Sequence, residues 1–140
     1  MTASTKKTVL ETKWFSVEAE YFDSIESLNG EPYYRINSPD GVIILSLTDK
    51  GEIILVRQFR PAIKEHTLEF PSGYVEKNET PELTAARELY EETGYKCKEI
   101  KQIFSGRVMM NRNNSRNLCF VATGAVKDRT ISSTSGLHLS

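Results

Sequence analysis

The 140-residue chain predicts an α+β fold, with several mostly antiparallel strands and one clear helix packed on a mixed sheet. Three observations carry that expectation. Val17, Ala19 and Tyr21 alternate with Ser16, Glu18 and Glu20, the two-residue period of a half-exposed strand. Two near-continuous apolar runs, Val42 to Leu47 and Glu52 to Phe59, are joined by the short loop Thr48-Asp49-Lys50-Gly51. Between Thr80 and Gly94, Leu83, Ala86, Leu89 and Tyr90 recur at helical intervals.

Taken in order, Thr8 to Phe22 is rich in β-branched and aromatic residues and reads as strand. Asn29-Gly30 is a turn signal, Pro32 to Ile36 a further strand, and Pro39-Asp40-Gly41 a second turn. The two apolar runs after Gly41 are expected to form a hairpin buried on both faces. Leu68-Glu69-Phe70 is a short strand ended by Pro71. The helix starts at an N-cap, Thr80, followed by Pro81 at the first helical position and Glu82 in the first turn, and Gly94 stops it. Ile100 to Phe104 and Leu118 to Thr123 are the last strand-like pieces, and the Ser- and Thr-rich stretch from Lys127 to Ser140 is expected to be loosely held.

The bulk composition is that of a globular domain, 39% hydrophobic and 26% charged. A formal net charge of -1 argues against nucleic acid or an anionic membrane as a partner. Cys97 and Cys119 lack a CxxC-type companion, so they read as reduced thiols in or near the core. With no apolar run of spanning length and no signal-peptide pattern after Met1, the expected location is cytoplasmic.

The chemistry concentrates in RELYEETG, Arg87 to Gly94. Glu88, Glu91 and Glu92 crowd the end of a helix whose dipole is already negative, and their spacing lets them repel. A Glu-rich helix end is commonly a solvated face. The alternative is a divalent cation, since carboxylate oxygens are hard ligands suited to magnesium or manganese, and magnesium completes its shell with substrate phosphates. A Pro- and Gly-containing loop, Pro71-Ser72-Gly73, precedes the helix and could bring the Ser72 carbonyl beside the glutamates.

The stretch Gly73 to Tyr95, GYVEKNETPELTAARELYEETGY, resembles the Nudix box, G-x5-E-x7-R-E-U-x-E-E-x-G-U. Gly73, Glu79, Arg87, Glu88, Glu91, Glu92 and Gly94 meet its fixed positions, Leu89 fills the first bulky site, and Tyr95 is an aromatic departure at the last. The resemblance implies a Nudix fold, an α/β/α sandwich around a mixed sheet, and magnesium-dependent hydrolysis of a nucleoside diphosphate derivative. It implies metal binding by Glu88 and Glu92 with help from Glu91 and the Ser72 carbonyl, with the three glutamates catalytic. It gives Glu79 and Arg87 a structural salt bridge. On this reading residues 1–40 are an N-terminal β-strand region with a small antiparallel sheet, 41–126 the Nudix domain with its box at 73–95, and 127–140 the tail.

Leu55 to Glu76, LVRQFRPAIKEHTLEFPSGYVE, resembles the segment entering the box in ADP-ribose pyrophosphatases. The implied substrate is ADP-ribose, cleaved to AMP and ribose 5-phosphate with Mg2+ (or Mn2+ in its place). The implied assembly is a homodimer whose N-terminal strands exchange between subunits. Arg57 and Arg60 then face the diphosphate or terminal ribose, since the guanidinium fork suits phosphate oxygens, and Glu69 joins the pocket. Arg57 also reads as a plain surface strand residue, whereas Arg60 precedes Pro61 in what reads as a loop. Trp14, Phe15 and Tyr33 are core aromatics or adenine-stacking rings. Arg107, Arg112 and Arg116, free of intervening acids in GRVMMNRNNSRN, line a phosphate rim or sit in a mobile loop between strands. His66 and His138 have no ligand-like company.

The chain departs from the resemblance after Gly124. ADP-ribose pyrophosphatases commonly place a catalytic glutamate on a loop beyond this point, followed by a closing helix. Here AVKDRTISSTSGLHLS carries Asp128 as its one acid. Either Glu91 serves as base, or the C-terminal part is abbreviated and the protein binds nucleotide without turnover. Without a closing helix, one sheet face is left apolar and uncovered. Other Nudix substrates, such as a nucleotide sugar, a dinucleoside polyphosphate or a nucleoside triphosphate, fit the box equally well.

Overall fold

The computed structural model describes residues 4–23, 25 and 28–130. His138 and the tail from residue 131 onward lie outside the described residues. The chain packs as two compact units. The first is built from the chain up to Pro39 with Arg107–Arg116, the second from Asp40–Gly106 and the chain from Asn117 on.

In the first unit, β1 (Ser4–Glu11), β2 (Ser16–Phe22) and β3 (Tyr33–Asn37) form an antiparallel sheet in that order. The strand-rich stretch read from Thr8 to Phe22 is two strands, because Thr12 ends the first. Its Oγ1 accepts from the amides of Trp14 (3.1 Å) and Phe15 (3.0 Å), closing a tight reversal. Asn29 and Gly30, both at positive φ (48° and 79°), form the turn before β3. The predicted alternation of β2 fails at its end, where Glu20 is buried and Tyr21 exposed. Glu20 is drawn inward because Ser4 Oγ donates to it at 2.7 Å and Arg35 pairs with it. The stretch Arg107–Arg116, weighed as a mobile loop, is fastened to β3: Ile36 N–H donates to the Arg112 carbonyl at 2.7 Å, and Asn114 N–H to the Ile36 carbonyl at 3.2 Å.

The second unit is a mixed sheet with one helix. Its spine is β4 (Gly41–Thr48), flanked by β11 (Asn117–Lys127) in parallel and by β5 (Ile53–Ile54) and β8 (Ser72–Tyr74) antiparallel, with β10 (Glu99–Gly106) and β9 (Tyr95–Lys96) on β11. Strand β11 continues past the predicted Thr123 to Lys127. The expected hairpin is cut to two pairs, Ser46 with Ile54 and Leu47 with Ile53, and it is not buried on both faces, since Ile53 is exposed. After two residues against β4 the chain leaves as β6 (Val56–Arg60), which pairs with β7 (Glu65–Glu69) instead. Strand β4 itself alternates: Val42, Ile44 and Ser46 are buried, with Ile43, Leu45 and Leu47 half-buried on the other face.

Helix α1 (Pro81–Thr93) covers the first of these faces, and Val42, Ile44, Leu118, Phe120 and Ala122 pack against Ala85 and Leu89. Its caps follow the sequence: Thr80 accepts from the Leu83 amide, and Gly94 takes φ 72° while its N–H closes on the Tyr90 carbonyl. The buried stripe does not. Thr84, Ala85 and Leu89 face the sheet, while Leu83 is 61% exposed. The helix is rotated from the predicted phase because Thr84 turns inward to donate from Oγ1 to Glu79 at 2.7 Å. Cys97 and Cys119 are free thiols, both half-buried. Among the described residues no helix is long and apolar enough to cross a membrane.

Candidate active site

Three local features gather the box residues of the second unit. Strand β8 pairs with β4 so that Gly73 lies opposite Val42 and its backbone runs under the last turns of α1. A Cβ on Gly73 would stand 2.1 Å from both Cδ and Oε1 of Glu88, so only a bare backbone leaves that carboxylate its place. The left-handed turn at Gly94 ends the helix where its dipole meets no basic side chain, since the last turn carries none.

Arg87 organises the first half of the cluster. Its Nε and Nη2 donate to Glu79 Oε1 and Oε2, each at 3.0 Å. Its Nη1 reaches Glu88 at 2.9 Å and Glu91 at 3.1 Å. Arg87 thus reaches two of the three clustered glutamates besides Glu79, because a planar fork with five donors can divide itself among neighbours, and Glu92 lies outside its reach. Glu79 gains most: chiefly through Arg87, with Thr84 assisting, its carboxyl is lowered to about 2.

Glu92 is held differently. Gln58 Nε2 donates to its Oε1 at 3.1 Å, and the Ser72 backbone N–H donates to its Oε2 at 3.1 Å. Neither donor carries a full charge. Burial pushes the Glu92 carboxyl upward against these bonds, and the Glu88 charge adds to the push. Glu88 is raised too, by burial first and then by Glu91 and Glu79, despite Arg87. Of these two half-buried carboxyls Glu88 has Arg87 for a partner, and Glu92 has no cationic side chain bonded to it. Glu91 is exposed and turned to Arg87.

The three glutamates do not converge on one point. Among the described residues no group of three His, Cys, Asp or Glu side chains is disposed as a ready metal cage. Arg87 draws Glu88 and Glu91 to its own fork, while Gln58 and Ser72 hold Glu92. The donor set fits a divalent cation in its chemistry nonetheless: hard oxygens, half-buried, with raised carboxyls that a positive ion would relieve.

Strand β6 supplies the neighbours. Its two-residue period places Gln58 and Arg60 on one face, half-buried, and Arg57 on the other, exposed. Arg60 is the last residue of this strand, where the sequence reading had a loop. It grips Glu69 in a bidentate pair, Nε to Oε1 at 2.7 Å, which lowers the Glu69 carboxyl to about 2. Arg60 also feels the charge of Glu92 and lines a recess of about 220 Å³ with Ser72, Gly73, Tyr74 and Asn117. Gln58 is the neighbour that sequence reasoning missed. The signal was available, because strand alternation alone puts it beside Arg60 and opposite Arg57. Asp128 pairs with Lys96 at 2.8 Å, which holds its carboxyl well below the usual carboxylate range.

Arg107 belongs to the first unit, where its Nε donates to the Asn114 carbonyl at 3.2 Å. Of the aromatics, Trp14 is 50% exposed beneath Lys13, and Phe15 is exposed beside it. Tyr33 carries the Arg112 guanidinium over its ring at 4.5 Å.

Comparison with known proteins places the chain in a family. The NUDIX domain family model matches residues 37–135. An ADP-ribose pyrophosphatase of Bacillus subtilis (strain 168) is 41% identical over 102 residues, 70% of this chain and 55% of that protein. A methanol dehydrogenase activator of Bacillus methanolicus is 36% identical over 85 residues, 59% of this chain and 46% of that one. The chain thus spans about half the length of these curated relatives. A solved structure described as an ADP compounds hydrolase superposes with a TM-score of 0.74 at 21% identity, covering 94% of this chain and 71% of that one.

Proposed function

The chain belongs to the Nudix family, and from that premise we propose that it is a hydrolase of the pyrophosphate bond in a nucleoside diphosphate derivative, with ADP-ribose the leading substrate and AMP and ribose 5-phosphate the products. The observation that carries this reading is the pair Glu88 and Glu92, two half-buried carboxylates on one helix face with raised carboxyls. Beside them stands a strand that presents Gln58 and Arg60. The named relatives support the substrate class. The differently named activator is why the group beyond the diphosphate belongs to the proposal.

Glu88 and Glu92 would hold the divalent cation, magnesium or manganese, with Glu91 and the Ser72 carbonyl as further donors. When bound, it supplies charge neutralisation at the pyrophosphate and a water of lowered pKa. The chain's own part is positioning. Gln58 and the Ser72 amide fix both oxygens of Glu92, and Gly73 leaves room for Glu88. Arg60, whose Nε and Nη2 are held by Glu69, offers its Nη1 and its charge to the diphosphate next to the recess. Arg57, on the opposite strand face, contacts the outer part of the substrate. Glu91, exposed and tethered to Arg87, is the candidate to orient the attacking water and accept its proton. We place the protein in the cytoplasm as a homodimer, an assembly favoured by apolar Ile53 (55% exposed) and Phe104 (59% exposed) on the second unit.

One observation favours a second reading, nucleotide binding without turnover. Arg87 already satisfies Glu88 and Glu91. A panel of nucleotides with Mg2+ separates the two readings. Release of AMP from ADP-ribose, abolished by Glu92→Gln, supports the hydrolase. Saturable nucleotide binding with no product from any member of the panel supports the binder.

A further inference from the structure

A second charged site lies in the first unit, built by the stretch that the box does not include. Arg107–Arg116 is fastened along β3, so its arginines meet Arg35 of the strand. Arg35, Arg107 and Arg112 line one recess of about 240 Å³ together with Tyr33, Asn111 and Asn113, and no carboxylate is among its lining residues. Arg35 has carboxylate partners on β2, and among the described residues no ion pair holds Arg107 or Arg112, so the hollow carries net positive charge.

The hollow is built rather than incidental. The Tyr33 hydroxyl donates to the Asn111 carbonyl, and the Tyr33 ring carries Arg112 at 4.5 Å. Arg107 is steadied through its Nε on the Asn114 carbonyl. Arg35 is anchored at its Nη2 by Glu20 and, at 3.6 Å, by Glu18. Those acids serve Arg35 from β2 and do not line the hollow.

We propose that this recess binds a phosphate group carried by a small molecule, a phosphate monoester or inorganic phosphate, through Arg107, Arg112 and Arg35. Planar guanidiniums match the phosphate oxygens, the hollow has the volume for a phosphate and part of its ester, and the side-chain amides of Asn111 and Asn113 add neutral donors. The site is independent of pyrophosphate hydrolysis. It stands or falls on residues of the first unit alone.

The test is a titration of the 15N-labelled full chain with inorganic phosphate, following backbone amides of residues 33–37 and 107–114 and the arginine Nε–H signals. Sodium chloride at matched ionic strength is the control. Saturable shifts confined to those residues are expected, and Arg107→Gln with Arg112→Gln should weaken them about tenfold or more while spectral dispersion is kept. Glu92→Gln should leave them unchanged, which separates this site from the glutamate cluster even if no substrate is ever turned over. AMP and ribose 5-phosphate form a second arm: tighter binding than phosphate identifies an ester as ligand, and equal binding identifies the free ion. The proposal is overturned if phosphate shifts match those of chloride, survive the double substitution, or appear only around Arg60, Ser72 and Gly73. Binding of an RNA oligomer without any response to phosphate would overturn it as well.

Discussion

At the start of α1, Glu79 sits within 3.0 Å of two nitrogens of Arg87 and takes a third bond from Thr84, and its carboxyl is lowered to about 2. At the end of the same helix, Glu92 is more deeply desolvated and has neutral donors, and its carboxyl is raised, by burial first. The two acids lie at opposite ends of one short helix, Glu79 just before its N-cap and Glu92 in its last turn, yet one has an arginine on it and the other only neutral donors. Under the proposed function the difference separates architecture from chemistry: Glu79, which would hold the loop on the helix, has its cation from the chain, and Glu92, a proposed metal ligand, is held by neutral donors.

The sharpest way to break this contrast is to neutralise each acid in turn. Glu92→Gln should lower turnover of ADP-ribose about a thousandfold, with thermal stability unchanged or raised, because a desolvated charge is removed. Glu79→Gln should do the reverse, costing about 1–3 kcal/mol in denaturant unfolding with a much smaller effect on rate. Equal stability losses in the two variants would show that the acids play the same part. Gly73→Ala comes next. The added Cβ meets the flexible end of Glu88, so the fold should survive while activity falls about a hundredfold. Gln58→Ala removes one of the two donors on Glu92, and apparent metal affinity should drop about tenfold with little change in Tm.

The smallest effect is in the pH dependence of stability under chelator. Raised carboxyls at Glu88 and Glu92 mean that the folded state binds those protons more tightly than the unfolded one. Stability should therefore fall as pH rises through their folded-state values, above the ordinary 4.5. Glu79 and Glu69 act oppositely: their contribution is full above 4.5 and is lost as pH falls toward about 2. Tm against pH should show both limbs, with Glu92→Gln flattening the upper and Glu79→Gln the lower.

What could be read from sequence follows the range of the forces involved. Thr80, Pro81 and Gly94 obey backbone rules confined to a few residues, and the helix begins and ends where they put it. The phase of its buried stripe escaped, because the bond from Thr84 to Glu79 overrides the apolar count of Leu83 and Ala86. The inward turn of Glu20 escaped for a similar reason, since its partner Arg35 is on another strand. The long hairpin was misjudged because apolar runs do not announce where pairing switches from β4 to β7. At the candidate site, fixed spacing revealed the glutamates. The resemblance paired Arg87 with Glu79, but it could not reveal that the same fork would also reach Glu88 and Glu91, nor that Gln58 would complete the hold on Glu92 across the fold.

A titration of Mn2+ into the metal-free chain, followed by the paramagnetic signal of the free ion, tests the central idea most directly. The account predicts saturable uptake that is lost in Glu92→Gln and retained in Glu79→Gln. Uptake that is absent, with or without ADP-ribose, or that is equally strong in Glu92→Gln, would contradict it.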